Sequence, residues 1–360
     1  MILIFFQSCL SPHQMPYIRE CIKFKVIEKI YYIIPRIDYT DRIAMGWDND
    51  GLLKEVSVSC LVMPKYEELK SIIQSGNDVR CFFSGIRADA DIYRWFKQSL
   101  SYSVKRYLIT EPPYTFNKPL WMHFLRFLLQ DYKYVKYIDG VFAIGESCKR
   151  YYENISKNWK VWPFVYVTEK TNIVGNKPEG KLKVLYVGRL SKRKNVKVLV
   201  EAMEGLVDIE LTIVGDGEER EMLELLSAKK NVTAHFFGTR SMSEIPEIIS
   251  KHDVLVLPSL HDGWGAVINE ALTQGLYAVC SDKCGSKDLL HNPKLGSVFH
   301  NNDSSALRYI LRNAASNIEM LRSERNFRKT WMAKNVDGVS VANYFVKCLT
   351  DEGNVTCPWK

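Results

Sequence analysis

Two carboxylates, Asp262 and Glu270, stand at the ends of the segment Asp-Gly-Trp-Gly-Ala-Val-Ile-Asn-Glu. The apolar run Asp253–Ser259 before it predicts a buried parallel strand. The helical spacing from Ala266 to Gly275 predicts a helix after the glycines. Open α/β sheets bind ligands where strands end and helices begin, so this segment is a candidate binding site. An ordinary strand–helix junction with two solvated carboxylates stays open as the alternative.

A second segment carries the complementary charge. The apolar run Lys183–Gly188 predicts another strand, and Arg189 and Lys194 follow it in a basic turn. Asn195 is a suitable N-cap for a helix over Val196–Met203. A guanidinium and an ammonium at the end of one strand suit a diphosphate. A solvated basic turn is the simpler alternative for this segment alone.

Together these segments resemble the retaining glycosyltransferases of family 4, which have the GT-B fold. The resemblance is specific over about residues 181–290 and general over the first 165. Asp262 stands where the family usually has glutamate. The matching pieces are Gly188-Arg189 with Lys194, Gly215-Asp216-Gly217-Glu218, Pro258-Ser259, Asp262 with Glu270, Glu270-Ala271-Leu272 with Gly275, and Ser281-Asp282 with Gly285 and Asp288-Leu289.

The resemblance implies an α/β protein with two Rossmann-like, doubly wound domains facing a central cleft. Residues 1–168 are expected to form the acceptor-side domain and residues 181–335 the nucleotide-sugar domain. Residues 336–360 are expected to form a C-terminal helix and tail that cross back to the first domain. The polar stretch Thr168–Gly180, with glycine and proline, predicts the linker.

The same resemblance implies a role for each candidate catalytic residue. Arg189 and Lys194 are expected to stabilise the leaving diphosphate, so no metal or other cofactor is expected. Glu270 is expected to accept hydrogen bonds from the ribose, and Asp262 to bind the sugar hydroxyls. The other expected donor-binding residues are Gly188, Gly263, Trp264, Gly265, Ala266, Val267, Gly238, Thr239 and Arg240; His13, Gln14 and Glu111 are expected on the acceptor side.

Length and composition agree with this interpretation. A chain of 360 residues suits two domains, and 46% hydrophobic with 25% charged residues indicates a globular protein. No apolar stretch approaches the ~20 residues that span a bilayer. The nine cysteines lack metal-ligand spacing, which favours a reducing cytoplasm. A net charge of +8 without a nucleic-acid-binding motif argues against nucleic acid as a partner.

Alternating strand and helix patterns predict two parallel sheets. A largely helical region is expected over about Ala306–Leu349. The expected strands lie near Ile2–Gln7, Lys29–Ile34, Val56–Val62, Arg80–Ser84, Arg106–Thr110, Val141–Ile144 and Lys160–Phe164, then Lys183–Val187, Glu210–Val214, Thr233–Phe236, Val254–Leu257 and Tyr277–Cys280.

One helix of the first domain could meet a membrane. Positive charge is concentrated in residues 1–170, with 24 Lys and Arg against 18 Asp and Glu. A helix is predicted over Lys118–Tyr137, with Phe124, Phe127, Leu128 and Tyr132 facing inward and Arg126, Lys133 and Lys136 available to anionic lipid. An ordinary amphipathic helix packed on the core stays open as the alternative.

The sequence therefore predicts an enzyme that moves a sugar from a nucleotide diphosphate, UDP more than GDP, to a saccharide acceptor. The resemblance implies a lipid-linked acceptor in surface polysaccharide assembly, and a cytoplasmic protein peripheral to the inner face of the plasma membrane. A GT-B sugar-nucleotide epimerase and a non-catalytic nucleotide-sugar-binding protein stay open as alternatives.

Overall fold

The computed structural model describes residues 1–39, 43, 58–114, 116, 119–169, 178–351 and 355–360. They fall into two compact units. The first contains the described residues within 1–40, 48–169 and 338–358, and the second those within 41–47, 170–337 and 359–360. The predicted linker Thr168–Gly180 lies mostly outside the described residues.

The first unit is built on a parallel sheet of seven described strands in the order β3-β2-β1-β4-β5-β6-β7. Short apolar runs form these strands, and both faces of the central ones are buried, as parallel sheets require. The strands are β1 (Ile2–Phe6), β2 (Lys29–Ile34), β3 (Ser59–Val62), β4 (Val79–Phe83), β5 (Lys105–Thr110), β6 (Gly140–Ile144) and β7 (Lys160–Phe164). The described α-helices are α1 (Met15–Cys21), α2 (Tyr66–Ile73), α3 (Ala90–Ser99), α4 (Leu120–Gln130) and α5 (Glu146–Ile155), with a 3-10 helix over Tyr132–Tyr137.

A C-terminal helix, α13 (Gly338–Thr350), completes the core of the first unit. Phe345 on this helix lies 4.7 Å from Phe142 and 5.2 Å from Phe82, measured between ring centroids. A Cβ atom on Gly338 would lie 2.6 Å from the carbonyl oxygen of Pro16, so only glycine lets α13 approach α1 so closely. The return of the C-terminal helix to the first unit is confirmed.

The second unit has a parallel sheet of six described strands in the order β10-β9-β8-β11-β12-β13. The strand order reverses between β8 and β11, and ligands bind outside the carboxyl ends of strands at such a switch point. The strands are β8 (Leu182–Val187), β9 (Ile209–Val214), β10 (Ala234–Gly238), β11 (Val254–Leu257), β12 (Tyr277–Ser281) and β13 (Gly296–Phe299). The helices are α6 (Val196–Met203), α7 (Arg220–Lys229), α8 (Ile245–Ser250), α9 (Val267–Thr273), α10 (Ser304–Ser316), α11 (Ile318–Ser323) and α12 (Arg325–Asn335), with a 3-10 helix over Gly285–Leu289.

The predicted strands are confirmed within a few residues, except that Val56 and Ser57 of the third lie outside the described residues. Sequence analysis missed β13, a short edge strand in which Val298 is 41% exposed. The helix predicted over Lys118–Tyr137 is wrong in length, because α4 ends at Gln130 and a 3-10 helix follows. Lys118 itself lies outside the described residues.

The predicted buried face of that helix is confirmed for two of its four side chains and wrong for the other two. Among the four side chains expected to face inward, Phe127 is buried and Phe124 is partly buried. Leu128 and Tyr132 are 40% and 56% exposed. Helical spacing identifies side chains that share a face, but it does not say which face the protein covers.

Candidate functional site

The turns after β8 and β9 are joined backbone to backbone. The Leu190 N–H donates to the Asp216 carbonyl at 2.9 Å. A Cβ on Gly215 would lie 2.0 Å from the carbonyl oxygen of Gly188, and one on Gly217 would lie 2.3 Å from that of Leu190. These glycines are therefore required by close approach, and they fix the Gly188–Leu190 turn at the carboxyl edge of the sheet.

Arg189 lies on the solvent side of this turn. Its carbonyl accepts a 2.9 Å hydrogen bond from the buried Tyr186 hydroxyl, which fixes the backbone. The side chain is 49% exposed, with Nε 3.5 Å from Glu218 Oε2. The guanidinium is thus free to exchange a weak surface ion pair for an anionic ligand.

Lys194 and Asp262 meet across the switch point. Lys194 follows β8 and Asp262 follows β11, and Lys194 Nζ donates to Asp262 Oδ2 at 2.6 Å. Both side chains are largely buried, at 16% and 12% exposure. Two hydrogen bonds to backbone carbonyls hold the two loops together: the Leu260 N–H donates to the Arg193 carbonyl at 2.8 Å, and the Arg193 side chain donates through Nη1 to the His261 carbonyl at 3.0 Å.

The charge of Asp262 is maintained by its neighbours. Burial alone would raise its pKa, but the Lys194 ammonium outweighs burial, with help from Arg193 and His261, and the pKa falls below its usual value. Asp262 is therefore an ionised acceptor at neutral pH. A sugar hydroxyl is a suitable donor to it.

The glycines after Asp262 let a second loop approach. Gly265 has φ +91°, and a Cβ there would lie 2.5 Å from Leu257 Cδ2. A Cβ on Gly285 would lie 2.2 Å from the Gly263 carbonyl oxygen, and the Ser286 N–H donates to the Trp264 carbonyl at 2.8 Å. The Asp262–Gly265 loop thus packs against Leu257 of β11 and against the 3-10 helix Gly285–Leu289.

Glu270 lies in the first turn of α9. Its side chain is partly exposed, yet burial raises its pKa to about 7. A carboxyl group in this state titrates near neutrality, and hydroxyl donors from a ligand would favour its ionised form.

One expected donor contact and one expected helix cap need correction. Trp264 is 1% exposed, and its indole N–H donates to Asn269 Oδ1 at 2.8 Å in the interior. It supports the loop from within and cannot offer its ring to a ligand. Asn195 occupies the N-cap position of α6, but its amide donates to the Asn302 and Pro258 oxygens instead of capping the helix.

The remaining expected donor residues lie at the same edge of the sheet. Gly188 lies in the turn after β8, and Ala266 and Val267 are half-buried at the start of α9. The Gly238 carbonyl, at the end of β10, accepts a 2.8 Å hydrogen bond from the Gly215 N–H. Thr239 and Arg240 follow it. Arg240 stacks over the exposed Phe237 ring at 5.7 Å from the centroid.

In the first unit the expected acceptor-side residues divide into two groups. Gln14 is 5% exposed, with its amide bound to Gln7 Oε1 at 3.2 Å and its carbonyl oxygen accepting from Tyr32 at 3.3 Å, so its predicted ligand contact is corrected to a structural role. His13 lies 5.9 Å from the Tyr166 ring, and the Tyr166 hydroxyl donates to Glu111 Oε1 at 2.8 Å. Tyr166 therefore connects His13 and Glu111 beyond the carboxyl ends of β1, β5 and β7.

Three residues near the Asp262–Gly265 loop were missed by sequence analysis as site residues. Arg193 Nη1 lies 4.0 Å from Asp262 Oδ2, and the Ser259 hydroxyl lies 3.4 Å from the same oxygen. The Ser286 hydroxyl is buried beside Gly265, with no hydrogen-bond partner among the described residues. Ser259 and the segment containing Ser286 belong to motifs noticed in the sequence, but only the fold shows which side chains reach the carboxylate.

Within the described part of the chain, His, Cys, Asp and Glu side chains form no cluster of three or more that could hold a metal ion. Metal independence stays a prediction. No helix among the described residues is long and apolar enough to cross a membrane.

The chain is similar in sequence to known glycosyltransferases. Residues 167–329 match the family model described as Glycosyl transferases group 1. The chain is 38% identical over 120 residues to a GDP-mannose-dependent alpha-mannosyltransferase of Mycobacterium tuberculosis, covering 33% of this chain and 30% of that protein. It is 27% identical over 209 residues to the Campylobacter jejuni protein named GalNAc-alpha-(1->4)-GalNAc-alpha-(1->3)-diNAcBac-PP-undecaprenol alpha-1,4-N-acetyl-D-galactosaminyltransferase, covering 54% of this chain and 53% of that protein.

The fold extends over more of the chain than the sequence similarity does. The structure of Anabaena Alr3699/HepE in complex with UDP matches with a TM-score of 0.71 at 13% identity, covering 97% of this chain and 100% of that one. The chain spans about half the length or less of the curated relatives described above. Residues 167–329 therefore match the group 1 family of glycosyl transferases, within a chain that has the GT-B fold.

Proposed function

We propose that the chain is a retaining glycosyltransferase of the family 4 type. It moves a sugar from a nucleotide diphosphate to a saccharide acceptor. The observation that carries the proposal is the Lys194–Asp262 pair at 2.6 Å, at the switch point of the second unit. The ammonium suits a diphosphate, the ionised carboxylate can accept hydrogen bonds from sugar hydroxyls, and Glu270 in the first turn of α9 can accept them from a ribose.

The leaving group decides what the cations do. As the bond from the sugar to the diphosphate breaks, negative charge grows on the distal phosphate oxygen. Lys194 and Arg189 stabilise that charge, assisted by backbone N–H groups near Gly263–Gly265. Donors already in place cost no reorganisation when the charge develops. No metal is then required for departure.

The two carboxylates, Glu270 and Asp262, bind different parts of the donor. Glu270 accepts from the ribose hydroxyls, and the ligand shifts it to its ionised form. Asp262 accepts from the sugar hydroxyls while Lys194 turns to the diphosphate. Attack by the acceptor on the face the leaving group vacates retains the anomeric configuration. Among the first-unit residues, His13 and Glu111 are our candidates for acceptor contacts.

Donor and acceptor are proposed from the relatives and from the sequence. We favour UDP over GDP as the nucleotide. The HepE structure contains UDP, whereas the name of the mycobacterial relative specifies GDP-mannose. The name of the Campylobacter relative specifies an undecaprenol-linked saccharide, which supports a lipid-linked acceptor in surface polysaccharide assembly. Such an enzyme works in the cytoplasm, peripherally on the inner face of the plasma membrane.

Ligand-dependent stability and turnover test the proposal. UDP, GDP and their sugars are screened by thermal shift, because a ligand that binds the native state raises its melting temperature. Hydrolysis or transfer of the donor above background then separates an enzyme from a binding protein. We expect a UDP-sugar to give the larger shift, and turnover to follow it.

Charge removal tests the diphosphate site. Lys194→Ala and Arg189→Ala should each lower kcat/KM by about 30- to 1,000-fold, from the loss of about 2–4 kcal/mol of transition-state stabilisation. Lys192→Ala is the matched control, because Lys192 is an exposed cation in the same turn. Unchanged kcat/KM in both test variants, or an equal loss in the control, would contradict the assignment.

A further inference from the structure

Helix α4 presents an apolar face to solvent. Trp121, Leu125, Leu128 and Leu129 are 64%, 47%, 40% and 77% exposed, and Met122 adds 40%. Among the eleven residues of the helix, only Phe127 is buried. Single exposed apolar residues are ordinary, but a contiguous patch marks an interaction site.

Five of the six exposed apolar residues of α4 lie on one side of the helix, and Leu120, at its first position, is the sixth. At 3.6 residues per turn, Trp121, Met122, Leu125, Leu128 and Leu129 occupy positions i, i+1, i+4, i+7 and i+8, which form a single stripe. Phe127, the residue that anchors α4 to the core, falls outside this stripe. We call these five residues the α4 face. Helix α4 is therefore amphipathic, but its apolar side faces solvent instead of the core.

Positive charge borders the α4 face. Arg126 is exposed on α4, and Lys133 and Lys136 are exposed on the following 3-10 helix. The acid within residues 120–137 is Asp131, which is 8% exposed and paired to Arg87 with Nε 2.6 Å from Oδ1. The apolar stripe is therefore bordered by cations whose charge no neighbouring exposed carboxylate of these two helices balances.

The positive charge beside the α4 face favours an anionic bilayer over a second copy of the chain as its partner. In a symmetric dimer the same patch would meet itself, and the cations of one copy would approach those of the other. An anionic bilayer offers the complementary arrangement, with phosphates for Arg126 and the lysines above an acyl region for Leu125 and Leu129. Tryptophan is suited to that boundary. A helix of eleven residues is about 16 Å long, too short to span a bilayer but able to lie in its plane.

We propose that the α4 face is the membrane-docking surface of this protein, inserting its leucines and Trp121 between the lipids of an anionic leaflet. The biological purpose, delivery to a lipid-linked acceptor, rests on the proposed function, but the docking itself does not. Insertion differs from attachment by lysines alone, the mode that the sequence suggested. Apolar burial is insensitive to salt, whereas surface electrostatics weaken as the Debye length falls from about 10 Å at 0.1 M to about 3 Å at 1 M salt.

Vesicle binding by matched triple variants tests the proposal. The test variant carries Trp121→Gln, Leu125→Gln and Leu129→Gln. The control carries Val207→Gln, Leu225→Gln and Tyr309→Gln, at three apolar residues of the second unit that are 76%, 67% and 74% exposed. Sedimentation with phosphatidylcholine vesicles, with and without phosphatidylglycerol, gives the partition coefficient of each protein.

The unaltered protein and the control should bind anionic vesicles and keep a measurable part of that binding in 1 M salt. The test variant should lose about ten-fold or more of the partition coefficient, since each leucine removed takes apolar area from the lipid. Equal binding by test variant and control would overturn the proposal. So would binding abolished by high salt, or a test variant whose only change is dissociation of a dimer in sedimentation velocity.

The docking surface and the proposed enzyme can fail separately. Transfer to a soluble saccharide acceptor, and the thermal shift with UDP, should be the same in the test variant and the unaltered protein. Loss of vesicle binding with both readouts preserved supports docking through α4. Absence of transfer in every variant would count against the proposed function and leave the docking result standing.

Discussion

Replacing Glu270 by glutamine should make the ligand-free protein more stable at pH 8 while weakening its hold on nucleotide. Burial raises the pKa of Glu270 to about 7 from a usual value of 4.5. At a pH between those two values the unfolded chain has lost the proton of Glu270, whereas the folded chain keeps it. The stability that the protonated group contributes is complete below pH 4.5 and is lost as the pH rises through 7.

The size of the effect follows from the shift. At 1.36 kcal/mol per pKa unit, the raised pKa of Glu270 lowers the free energy of unfolding by about 3 kcal/mol at pH 8, where the carboxylate is ionised in both states. At pH 5 the folded protein keeps the proton that the unfolded chain has mostly lost, and the loss is about 1 kcal/mol. Glutamine has nearly the same shape and no charge, so Glu270→Gln removes that cost. The gain in the free energy of unfolding should therefore increase by about 2 kcal/mol from pH 5 to pH 8.

Urea unfolding of the ligand-free protein at the two pH values measures this gain, and calorimetry with UDP measures the accompanying loss of affinity. Glu221→Gln, which removes an exposed carboxylate on α7, is the control and should change neither quantity. A gain that is the same at pH 5 and pH 8 would refute the buried-carboxylate argument. Unchanged UDP affinity would refute the assignment of Glu270 to the ribose.

Two further substitutions test the loop between the carboxylates. Asp262→Asn should lower affinity for the intact sugar donor about ten-fold relative to UDP, the effect of one charge-assisted hydrogen bond, and calorimetry showing equal losses for both ligands would exclude its role at the sugar. Gly265→Ala should destabilise the protein by about 1–3 kcal/mol more than Gly205→Ala, because both positions have positive φ but only the first would place a Cβ 2.5 Å from Leu257; equal melting temperatures for the two variants would contradict this.

Much of the fold could be predicted from the sequence because parallel strands are short apolar runs with recognisable ends. The run Val254–Leu257 between Asp253 and Pro258 is an example, predicted with its observed bounds. Strand β13 escaped because Gly296–Phe299 is short and half exposed, so its pattern is weak. The exposure of the apolar side of α4 was not predicted, because helical spacing does not show which side of a helix faces solvent.

The candidate site was predicted in composition but not in contacts. The segments with Lys194 and Asp262 were recognised separately, yet the hydrogen bond between these residues joins positions 68 apart in the chain. Trp264 and Gln14 follow strands where ligand-binding residues are common, and both turned out to be buried. Their direction depends on packing partners such as Asn269 and Tyr32, which local sequence does not reveal.

The Lys194–Asp262 pair gives the site its own counterion. Before donor binding, the ammonium is already neutralised by a carboxylate 2.6 Å away, so a passing anion must displace that carboxylate to bind. Inorganic phosphate would gain the ammonium but leave Asp262 ionised, largely buried and without its closest cation, at a substantial cost. In the proposed enzyme, a complete nucleotide-sugar satisfies both partners at once, through its diphosphate and its sugar hydroxyls. In the proposed enzyme the pair would therefore disfavour small anions relative to the nucleotide-sugar, at the cost of some affinity for the donor.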